Sequence, residues 1–358
     1  MSARILVVGD KFCPSAVMRG AFASLEAANE IAYADVVDET GWIPVTPSDL
    51  RIREYMGSPR QVIDILDSHQ VLVVQGAPVT DGVLDADPAL RLICCARGGP
   101  VNVDVSAATA RGIPVVTTPG KNADSVAELT IAFLIMLSRR LPEVLRYVED
   151  GGEFAHDNYE GANWFGHDLA GKVLGLVGFG QVGRRVTVRA KAFGMQVVVS
   201  DPFVEASAVR AEGVEPTDLE RLLGTADFVS LHARATADNA RLIGPPELAR
   251  MKAGACLVNT ARDSLIDEDA VLSMLRSGRL AGLAVDLVSP SPATGRHPLL
   301  GHPNVIITPH VGGATYETVE RAGAMAAAEI ERYLRGEPLH NVADAAALAP
   351  SRRLTVRR

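Results

Sequence analysis

Short apolar runs alternate with mixed stretches through the first third of the chain. The runs are rich in β-branched residues and lie at residues 5–9, 71–75, 92–96 and 113–118. Apolar runs of this length, separated by helical or mixed segments, are typical of buried parallel strands joined by crossover helices. The pattern therefore predicts an α/β unit with a parallel sheet.

The pattern changes near residue 120. Ser125 and Glu128 have the Ser-x-x-Glu spacing of a capping box, and they stand at the start of a long apolar-periodic segment. We predict one continuous helix from this point to about Tyr147, connecting two domains. Residues 150–171 have no clear period and are interpreted as an irregular arm or loop.

A second α/β alternation begins at Lys172. Six strand candidates lie within residues 172–180, 195–202, 227–233, 255–261, 280–287 and 304–310. Six strands with intervening helices are typical of a doubly wound nucleotide-binding sheet. An Ala-rich helical segment from about Thr315 to Leu334 follows, and we expect it to return to the first domain.

Composition narrows the class of protein. A chain of 358 residues corresponds to about two domains, and a net charge of −8 argues against a broad basic surface for nucleic acid or anionic lipid. The start of the chain lacks the features of a signal peptide, and the apolar stretch at 129–137 is far shorter than the roughly 20 residues that a bilayer requires. We therefore expect a cytoplasmic protein without nucleic-acid or membrane partners.

The cysteines have no C-x-x-C spacing and are interpreted as reduced, buried side chains; they are Cys13, Cys94, Cys95 and Cys256.

A dinucleotide-binding motif follows the first strand of the second alternation. Gly178, Gly180 and Gly183 form G-x-G-x-x-G between an apolar run and a helical stretch. The first glycine permits the tight turn, the second lets a pyrophosphate approach the backbone, and the third lets the helix pack on the strand. Asp201 ends the next strand candidate, where a carboxylate would bind the ribose hydroxyls and repel a 2′-phosphate. The motif therefore predicts NAD rather than NADP.

Further motifs occur in a fixed order along the chain. They are Ala-Arg-Gly-Ile-Pro-Val at 110–115, Pro-Gly-Lys-Asn at 119–122, Ser-Val-Ala-Glu at 125–128, Asn-Thr-Ala-Arg at 259–262, Ala-Val-Asp at 284–286, His-Pro-Leu at 297–299 and Thr-Pro-His at 308–310. With the glycine motif, they resemble the D-2-hydroxyacid dehydrogenase family over nearly the whole chain. The resemblance implies two Rossmann-like or flavodoxin-like domains with parallel sheets, usually in a homodimer. Residues 1–121 and 318–358 would form a split substrate domain, and 122–317 an inserted NAD-binding domain.

The resemblance also implies two catalytic residues. Arg262 matches the arginine that orients the substrate carboxylate and polarises the 2-oxo group, a role that suits a planar guanidinium of fixed charge. His310 matches the acid/base, and the unperturbed imidazole pKa of about 6.5 lies near working pH. An isolated histidine at a strand end is also compatible with capping or metal ligation, but the histidines show no metal-ligand spacing.

The remaining cofactor candidates come from the same comparison of motifs. Asp286 matches the residue that holds the nicotinamide carboxamide, Ala261 contributes backbone, and Gln181 and Val182 meet the pyrophosphate. Three further positions complete the predicted cofactor site, namely His232, Thr260 and Gly312.

One catalytic position departs from the family pattern. The glutamate that normally hydrogen-bonds the catalytic histidine is replaced by Ser291, and no Asp or Glu occurs from Leu287 to Tyr316. Three explanations stay open: another segment supplies a carboxylate, Ser291 orients His310 through a neutral hydrogen bond, or the activity is altered.

A second departure lies in the predicted substrate loop. Arg97 stands where the family commonly has glycine, before Gly98 and Gly99, whose N–H groups would face the substrate carboxylate. Arg97 is either a second cation for an additional anionic group of the substrate or an outward-facing side chain.

Together these residues predict an NAD-dependent oxidoreductase that interconverts a 2-hydroxy acid and a 2-oxo acid. One alternative is a family member that acts on another oxyanion, such as a phosphonate or phosphite. Another is an NAD-binding regulatory protein with reduced turnover, for which Ser291 is the sequence argument.

Overall fold

The computed structural model describes residues 2–38, 42–152, 159–288 and 297–343. Within these ranges the strands are β1 (Arg4–Gly9), β2 (Glu30–Asp35), β3 (Val71–Val74), β4 (Leu92–Cys95), β5 (Val115–Thr117), β6 (Val173–Val177), β7 (Gln196–Ser200), β8 (Glu215–Pro216), β9 (Phe228–Leu231), β10 (Ala255–Asn259), β11 (Leu280–Val285) and β12 (Val305–Ile307).

The helices of the described residues connect these strands. They are α1 (Ser15–Met18), α2 (Ala23–Glu26), α3 (Pro59–Ile65), α4 (Asp81–Ala86), α5 (Val105–Ala110), α6 (Ala123–Ser138), α7 (Leu141–Glu149), α8 (Gln181–Ala192), α9 (Ala206–Ala211), α10 (Leu219–Thr225), α11 (Pro245–Arg250), α12 (Glu268–Arg276) and α13 (Tyr316–Arg335). Short 3₁₀ helices lie at Arg19–Phe22, Asp49–Arg51, Tyr159–Asn163, Ala237–Asn239 and Asp263–Leu265.

The chain divides into two compact units. Unit 1 contains residues 1–121 and 314–358, and unit 2 contains residues 122–313. Unit 1 has the strand order β2-β1-β3-β4-β5, and unit 2 has the order β12-β11-β10-β9-β6-β7-β8. All pairings between these strands are parallel. The predicted α/β class with two parallel sheets is confirmed.

Unit 1 buries both faces of its sheet. One face packs under α3, α4 and α5, and the other packs against α1, α2 and α13. The Ala-rich helix forms nearly as predicted: Thr315 caps the N-terminus of α13 through the N–H of Thr318, and Gly336 ends the helix with φ +70°. Glycine adopts this left-handed conformation without steric penalty.

Unit 2 has the doubly wound arrangement. From β6 the sheet extends to β7 and β8 on one side and to β9, β10, β11 and β12 on the other, so the order reverses between β6 and β9. In open α/β sheets, ligands bind outside the carboxyl ends of the strands at such a reversal. Apolar clusters cover both faces of this sheet as well.

The helix after residue 120 differs from the prediction in two ways. It begins at Ala123 with Asn122 as N-cap, so Ser125 lies inside the first turn and the predicted capping box is wrong. It also breaks at Arg140, which has φ +53°, and a second helix then begins with Pro142 in its first turn. Proline lacks an N–H and clashes with the preceding turn, so a single helix cannot continue through this position.

Two strands were missed and one segment is only partly described. β2 is half-buried and carries Glu30 and Asp35, and β8 has two residues; neither is an apolar run. Of the predicted arm at 150–171, residues 153–158 lie outside the described residues, and a short 3₁₀ helix at Tyr159–Asn163 follows them.

Candidate active site

Six neighbouring strands of unit 2 end side by side. Register pairs join their last residues, which are Ile307, Val285, Asn259, Leu231, Val177 and Ser200 in order across the sheet. The residues that follow them therefore form one row, in the order Thr308, Asp286, Thr260, His232, Gly178 and Asp201. Adjacent strands are about 4.8 Å apart. Five predicted cofactor residues thus share one edge of the sheet.

The three glycines of the motif have different surroundings. Gly178 has φ +101°, and a Cβ there would lie 2.6 Å from the nitrogen of Ala233. A Cβ on Gly183 would lie 2.5 Å from the carbonyl oxygen of Gly178. A Cβ on Gly180 would meet no described atom within 4 Å. Protein packing therefore requires the first and third glycines, whereas the second leaves open space where a ligand can approach the backbone.

The N-terminus of α8 faces this space. Gln181 and Val182 are its first residues, and the first N–H groups of a helix have no intrahelical acceptor. No acidic side chain lies in the first turn, so the positive end of the helix dipole is not neutralised there. These features fit a dinucleotide pyrophosphate.

Asp201 is fixed by backbone hydrogen bonds. Its Oδ2 accepts the N–H of Phe179 at 2.7 Å, and its Oδ1 accepts the N–H of Phe203 at 2.9 Å. A carboxylate has about four acceptor positions, so acceptors remain for ribose hydroxyls. Phe203 is 94% exposed and offers no positive charge for a 2′-phosphate.

His232 is neutral near pH 7. Desolvation by burial lowers its pKa to about 4, and its Nε2 lies 2.9 Å from the hydroxyl of the fully buried Ser230. The ring adds no positive charge to the row.

A buried asparagine builds the turn that carries Arg262. Asn259 accepts the N–H of Ala261 at 3.0 Å and donates to the carbonyl of Arg262 at 2.6 Å. The adjacent Thr260 hydroxyl lies 3.2 Å from that of Thr130 on α6. The Arg262 side chain is exposed, and its Nη1 donates to the Ala261 carbonyl. No carboxylate of the described residues forms an ion pair with this guanidinium, so its charge is available to an anion.

Asp286 holds the turn that carries His310. Its Oδ1 accepts the Thr308 hydroxyl at 2.6 Å and the N–H of Val311 at 2.8 Å, and its Oδ2 accepts the N–H of Gly312 at 2.7 Å. Its carbonyl accepts the N–H of His310 at 2.7 Å. Asp286 is 4% exposed, so few acceptor positions remain for a carboxamide.

This turn is strained at the candidate acid/base. His310 has φ +58°, a conformation that costs a non-glycine residue about 1–2 kcal/mol. A Cβ on Gly312 would lie 2.7 Å from Asp286 Oδ2, so a larger residue there would displace this carboxylate oxygen, which accepts the N–H of Gly312. His310 is exposed, and no carboxylate of the described residues hydrogen-bonds its ring. Ser291 lies outside the described residues, so its predicted role is not described.

The predicted substrate loop lies in unit 1. Arg97 forms an ion pair with Glu54, and its Nη1 donates to the Glu54 carbonyl at 2.8 Å. Arg97 is therefore neutralised by its own unit. Gly98 and Gly99 have open space at their Cβ positions, with the nearest atom 4.0 Å from that of Gly98.

Sequence reasoning missed two residues that shape the site. Asn259 and Thr308 contact no reactive atom themselves, but they fix the turns of Arg262 and His310. Their signal was a short polar residue at the end of a buried strand, a place where such side chains often bind local backbone groups.

Comparison with known proteins identifies the family. Residues 131–312 match the model of the D-isomer specific 2-hydroxyacid dehydrogenase NAD binding domain. The chain belongs to this family. The resemblance inferred from the motifs is thereby confirmed, and unit 2 contains the NAD-binding domain of a 2-hydroxyacid dehydrogenase family member.

Individual relatives agree with this assignment. D-3-phosphoglycerate dehydrogenase of Methanocaldococcus jannaschii is 37% identical over 279 residues, which cover 78% of this chain and 52% of that protein. Glyoxylate reductase of Korarchaeum cryptofilum is 37% identical over 260 residues, which cover 73% of this chain and 78% of that protein. This 2-hydroxyacid dehydrogenase family member spans 52–60% of the length of three phosphoglycerate dehydrogenases that it matches.

Solved structures share the fold. A protein from Thermus thermophilus has a TM-score of 0.75 at 32% identity, covering 95% of this chain and 100% of that one. D-2-hydroxyisocaproate dehydrogenase has a TM-score of 0.77 at 22% identity, covering 95% of this chain and 100% of that one, and shows the fold alone.

Among the described residues of this 2-hydroxyacid dehydrogenase family member, no helix is long and apolar enough to cross a membrane. The four cysteines are free and buried, as predicted.

Proposed function

We propose that this protein is an NAD-dependent oxidoreductase that interconverts a 2-hydroxy acid and a 2-oxo acid. The supporting observation is the row of strand ends in unit 2. Its glycine motif and Asp201 fit a dinucleotide, and the same edge of the sheet carries Arg262 and His310. A helix N-terminus for pyrophosphate, a guanidinium without an ion pair among the described residues and an exposed imidazole are the groups that this reaction requires.

The two reactive side chains have complementary roles. Arg262 binds the substrate carboxylate and polarises the 2-oxo group, because its guanidinium has no acidic partner among the described residues. His310 takes the hydroxyl proton during oxidation and returns it during reduction. A bound nicotinamide supplies the hydride acceptor or donor. Ser291 is the proposed neutral partner of His310 and rests on the sequence alone.

NAD is the proposed cofactor rather than NADP. Asp201 places a carboxylate beside the glycine motif, fixed by the N–H groups of Phe179 and Phe203. A 2′-phosphate would meet this negative charge, and neither Pro202 nor Phe203 can neutralise it.

The roles of the units, the oligomeric state and the location are part of this proposal. We assign residues 1–121 and 318–358 to the substrate domain and 122–317 to the NAD-binding domain. The family resemblance supports a homodimer, which light scattering tests. The four buried free thiols suit a reducing compartment such as the cytoplasm, which fractionation of the source cells tests.

The test is NADH oxidation by the purified protein with a panel of short, branched, hydroxylated and phosphorylated 2-oxo acids. Arg262→Ala and His310→Gln should each lower kcat/KM at least about 100-fold, since each removes a group that acts on the reacting atoms. Arg276→Ala is the matched control, because Arg276 is exposed on α12 and away from the row of strand ends. Equal turnover in all three variants would overturn the proposal. Tight NADH binding without turnover would favour the regulatory alternative.

A further inference from the structure

The loop after β9 carries an arginine beside the dinucleotide-binding motif. Arg234 is the second residue after His232 in the row of strand ends. The residue before it, Ala233, packs on the first glycine of the motif, since a Cβ on Gly178 would lie 2.6 Å from the Ala233 nitrogen. β9 lies between β10 and β6 in the sheet. The backbone of Arg234 therefore lies between the Arg262 turn and the glycine motif, within unit 2.

A side-chain amide fixes the backbone of this loop. Asn239 donates to the carbonyl of Arg234 at 2.8 Å and accepts the N–H of Thr236 at 2.7 Å. The last residues of β9 and β10 form a register pair, and Arg234 and Arg262 each follow their strand end by three residues. The two arginines thus occupy matching positions on neighbouring strands, and both side chains are exposed.

The positive side chains around the glycine motif differ in their pairing. All four cations of α8 have acceptors: Arg184 pairs with Glu212, Arg185 with Asp124, and Arg189 with Asp124 and Glu128, while Lys191 donates to the carbonyls of Glu212 and Gly213. The guanidinium of Arg234 forms no hydrogen bond or ion pair within the part of the chain that the structure describes. Its charge is therefore available to a ligand.

The same edge of the sheet offers little other positive charge to a pyrophosphate. The dipole of α8 contributes about half a positive charge at its N-terminus. The ring of His232 is neutral near pH 7, because burial lowers its pKa to about 4, and Asp201 is negative. Each phosphate of a dinucleotide is negatively charged, so the helix dipole leaves most of this charge uncompensated.

An arginine on the neighbouring strand can compensate it. Adjacent strands are about 4.8 Å apart, a spacing that the long side chain of Arg234 spans. A guanidinium also forms paired hydrogen bonds with phosphate oxygens. The open space at Gly180, where a Cβ would meet no described atom within 4 Å, lies next to this loop through the contact of Ala233 with Gly178.

We propose that Arg234 binds the pyrophosphate of the dinucleotide and is a further cofactor-binding residue of this protein. The inference deepens the proposed function, because it rests on NAD as the cofactor and adds a residue to its site. The glycine motif then supplies backbone N–H groups, and Arg234 supplies the full positive charge that they lack. Arg262, at the matching position on β10, stays available for the substrate carboxylate.

Calorimetry with fragments of the cofactor tests this assignment without turnover. ADP carries a diphosphate, and adenosine carries the same base and ribose without charge. We expect Arg234→Gln to weaken ADP and NADH binding about tenfold, the lower end of the range for a hydrogen bond to a charged group, and to leave adenosine binding unchanged. Arg234→Lys should restore part of the ADP affinity, because it keeps the charge and loses the planar fork. High salt should reduce the difference between wild type and Arg234→Gln.

A matched control changes an arginine at the other edge of the sheet. Arg276 is exposed at the end of α12, just before the start of β11, so Arg276→Gln should bind ADP as the wild type does. Denaturant unfolding checks that Arg234→Gln is folded, which we expect because the side chain is exposed and has no partner among the described residues.

The possible outcomes separate this inference from the proposed function. Equal ADP affinity in wild type and Arg234→Gln, or no ADP binding by the wild type, would overturn the inference. An equal loss for adenosine and ADP would also overturn it, because the guanidinium would then contact the base. Turnover of a 2-oxo acid with unchanged ADP affinity in the variant would leave the proposed function standing. Arg234-dependent ADP binding without any turnover would do the reverse.

Discussion

The hydrogen bond from Thr308 to Asp286 should keep His310 in its strained conformation. Thr308→Val retains the β-branched shape and removes the hydroxyl that donates to Asp286 Oδ1 at 2.6 Å. Oδ1 keeps the N–H of Val311, so the substitution leaves no acceptor without a partner. Thr308→Ser keeps the hydroxyl and is the matched control.

The expected loss of stability in Thr308→Val follows from two opposing free energies, that of the lost hydrogen bond and that of the backbone strain. A hydrogen bond to a charged acceptor contributes about 1.5–3 kcal/mol, or a factor of about 10–150 in an equilibrium constant. The left-handed conformation of His310 costs about 1–2 kcal/mol. Asp286 keeps its hydrogen bonds to the N–H groups of His310, Val311 and Gly312, so loss of the Thr308 bond weakens the turn against this strain without removing its other anchors. We expect the free energy of unfolding to fall by about 1.5–3 kcal/mol and kcat to fall about tenfold or more.

The assay is hydrogen exchange combined with kinetics. The amides of His310, Val311 and Gly312 all bond to Asp286, so they should exchange at least about ten times faster in Thr308→Val. NADH affinity is measured alongside, because a defect in carboxamide binding would weaken it without faster exchange. Equal exchange and equal kcat in the Val and Ser variants would refute the reasoning.

Four further substitutions test the glycine motif, the cofactor preference and an ion pair of unit 1. Gly180→Ala should weaken NADH binding about tenfold with little change in stability. Gly183→Ala should lower the free energy of unfolding by about 1–3 kcal/mol, because its Cβ would lie 2.5 Å from a carbonyl oxygen. Calorimetry measures the binding and denaturant unfolding measures the stability of each variant. Asp201→Ser should raise the NADP-to-NAD ratio of kcat/KM at least about tenfold by removing the repelling charge, and an unchanged ratio would contradict this role. Hydrogen bonds from Arg51, Ser48 and Ser106 hold the pKa of the buried Asp104 below its usual range. The carboxylate therefore stabilises the fold above an unfolded-state pKa of about 3.9. Asp104→Asn should lower the free energy of unfolding by about 1–3 kcal/mol at pH 7, and this loss should shrink below pH 4 in unfolding titrations. A loss of stability independent of pH would exclude the charge as its cause.

The sequence predicted those strands that are buried on both faces. Such strands are continuous apolar runs, and those of β3 and β4 are fully buried. β2 was missed because it is an edge strand with half-buried positions between Glu30 and Asp35. The break between α6 and α7 had a visible signal in Pro142, but the apolar periodicity on both sides of the proline outweighed it in the prediction.

The candidate site was predictable where its chemistry is local. The glycine motif acts through its own backbone, so its spacing and its place between a strand and a helix revealed it. The pairing of Arg97 with Glu54 joins residues 43 positions apart, and no periodicity in the sequence brings them together. The same limit hid the role of Asp286, because its contacts with the His310 turn follow from the alignment of β11 with β12.

The two reactive residues are positioned by the same kind of device. Arg262 and His310 each lie a few residues beyond a strand end, and a buried polar side chain at or just after a strand end, Asn259 or Asp286, binds the backbone of the turn. The anchors carry the hydrogen bonds, so the guanidinium and imidazole need no structural partners among the described residues. Asn259 and Asp286 therefore fix the backbone, whereas Arg262 and His310 supply the reactive groups. This separation explains how an exposed Arg262 and His310 can keep a fixed backbone position while their functional groups stay free to bind an anion and transfer a proton.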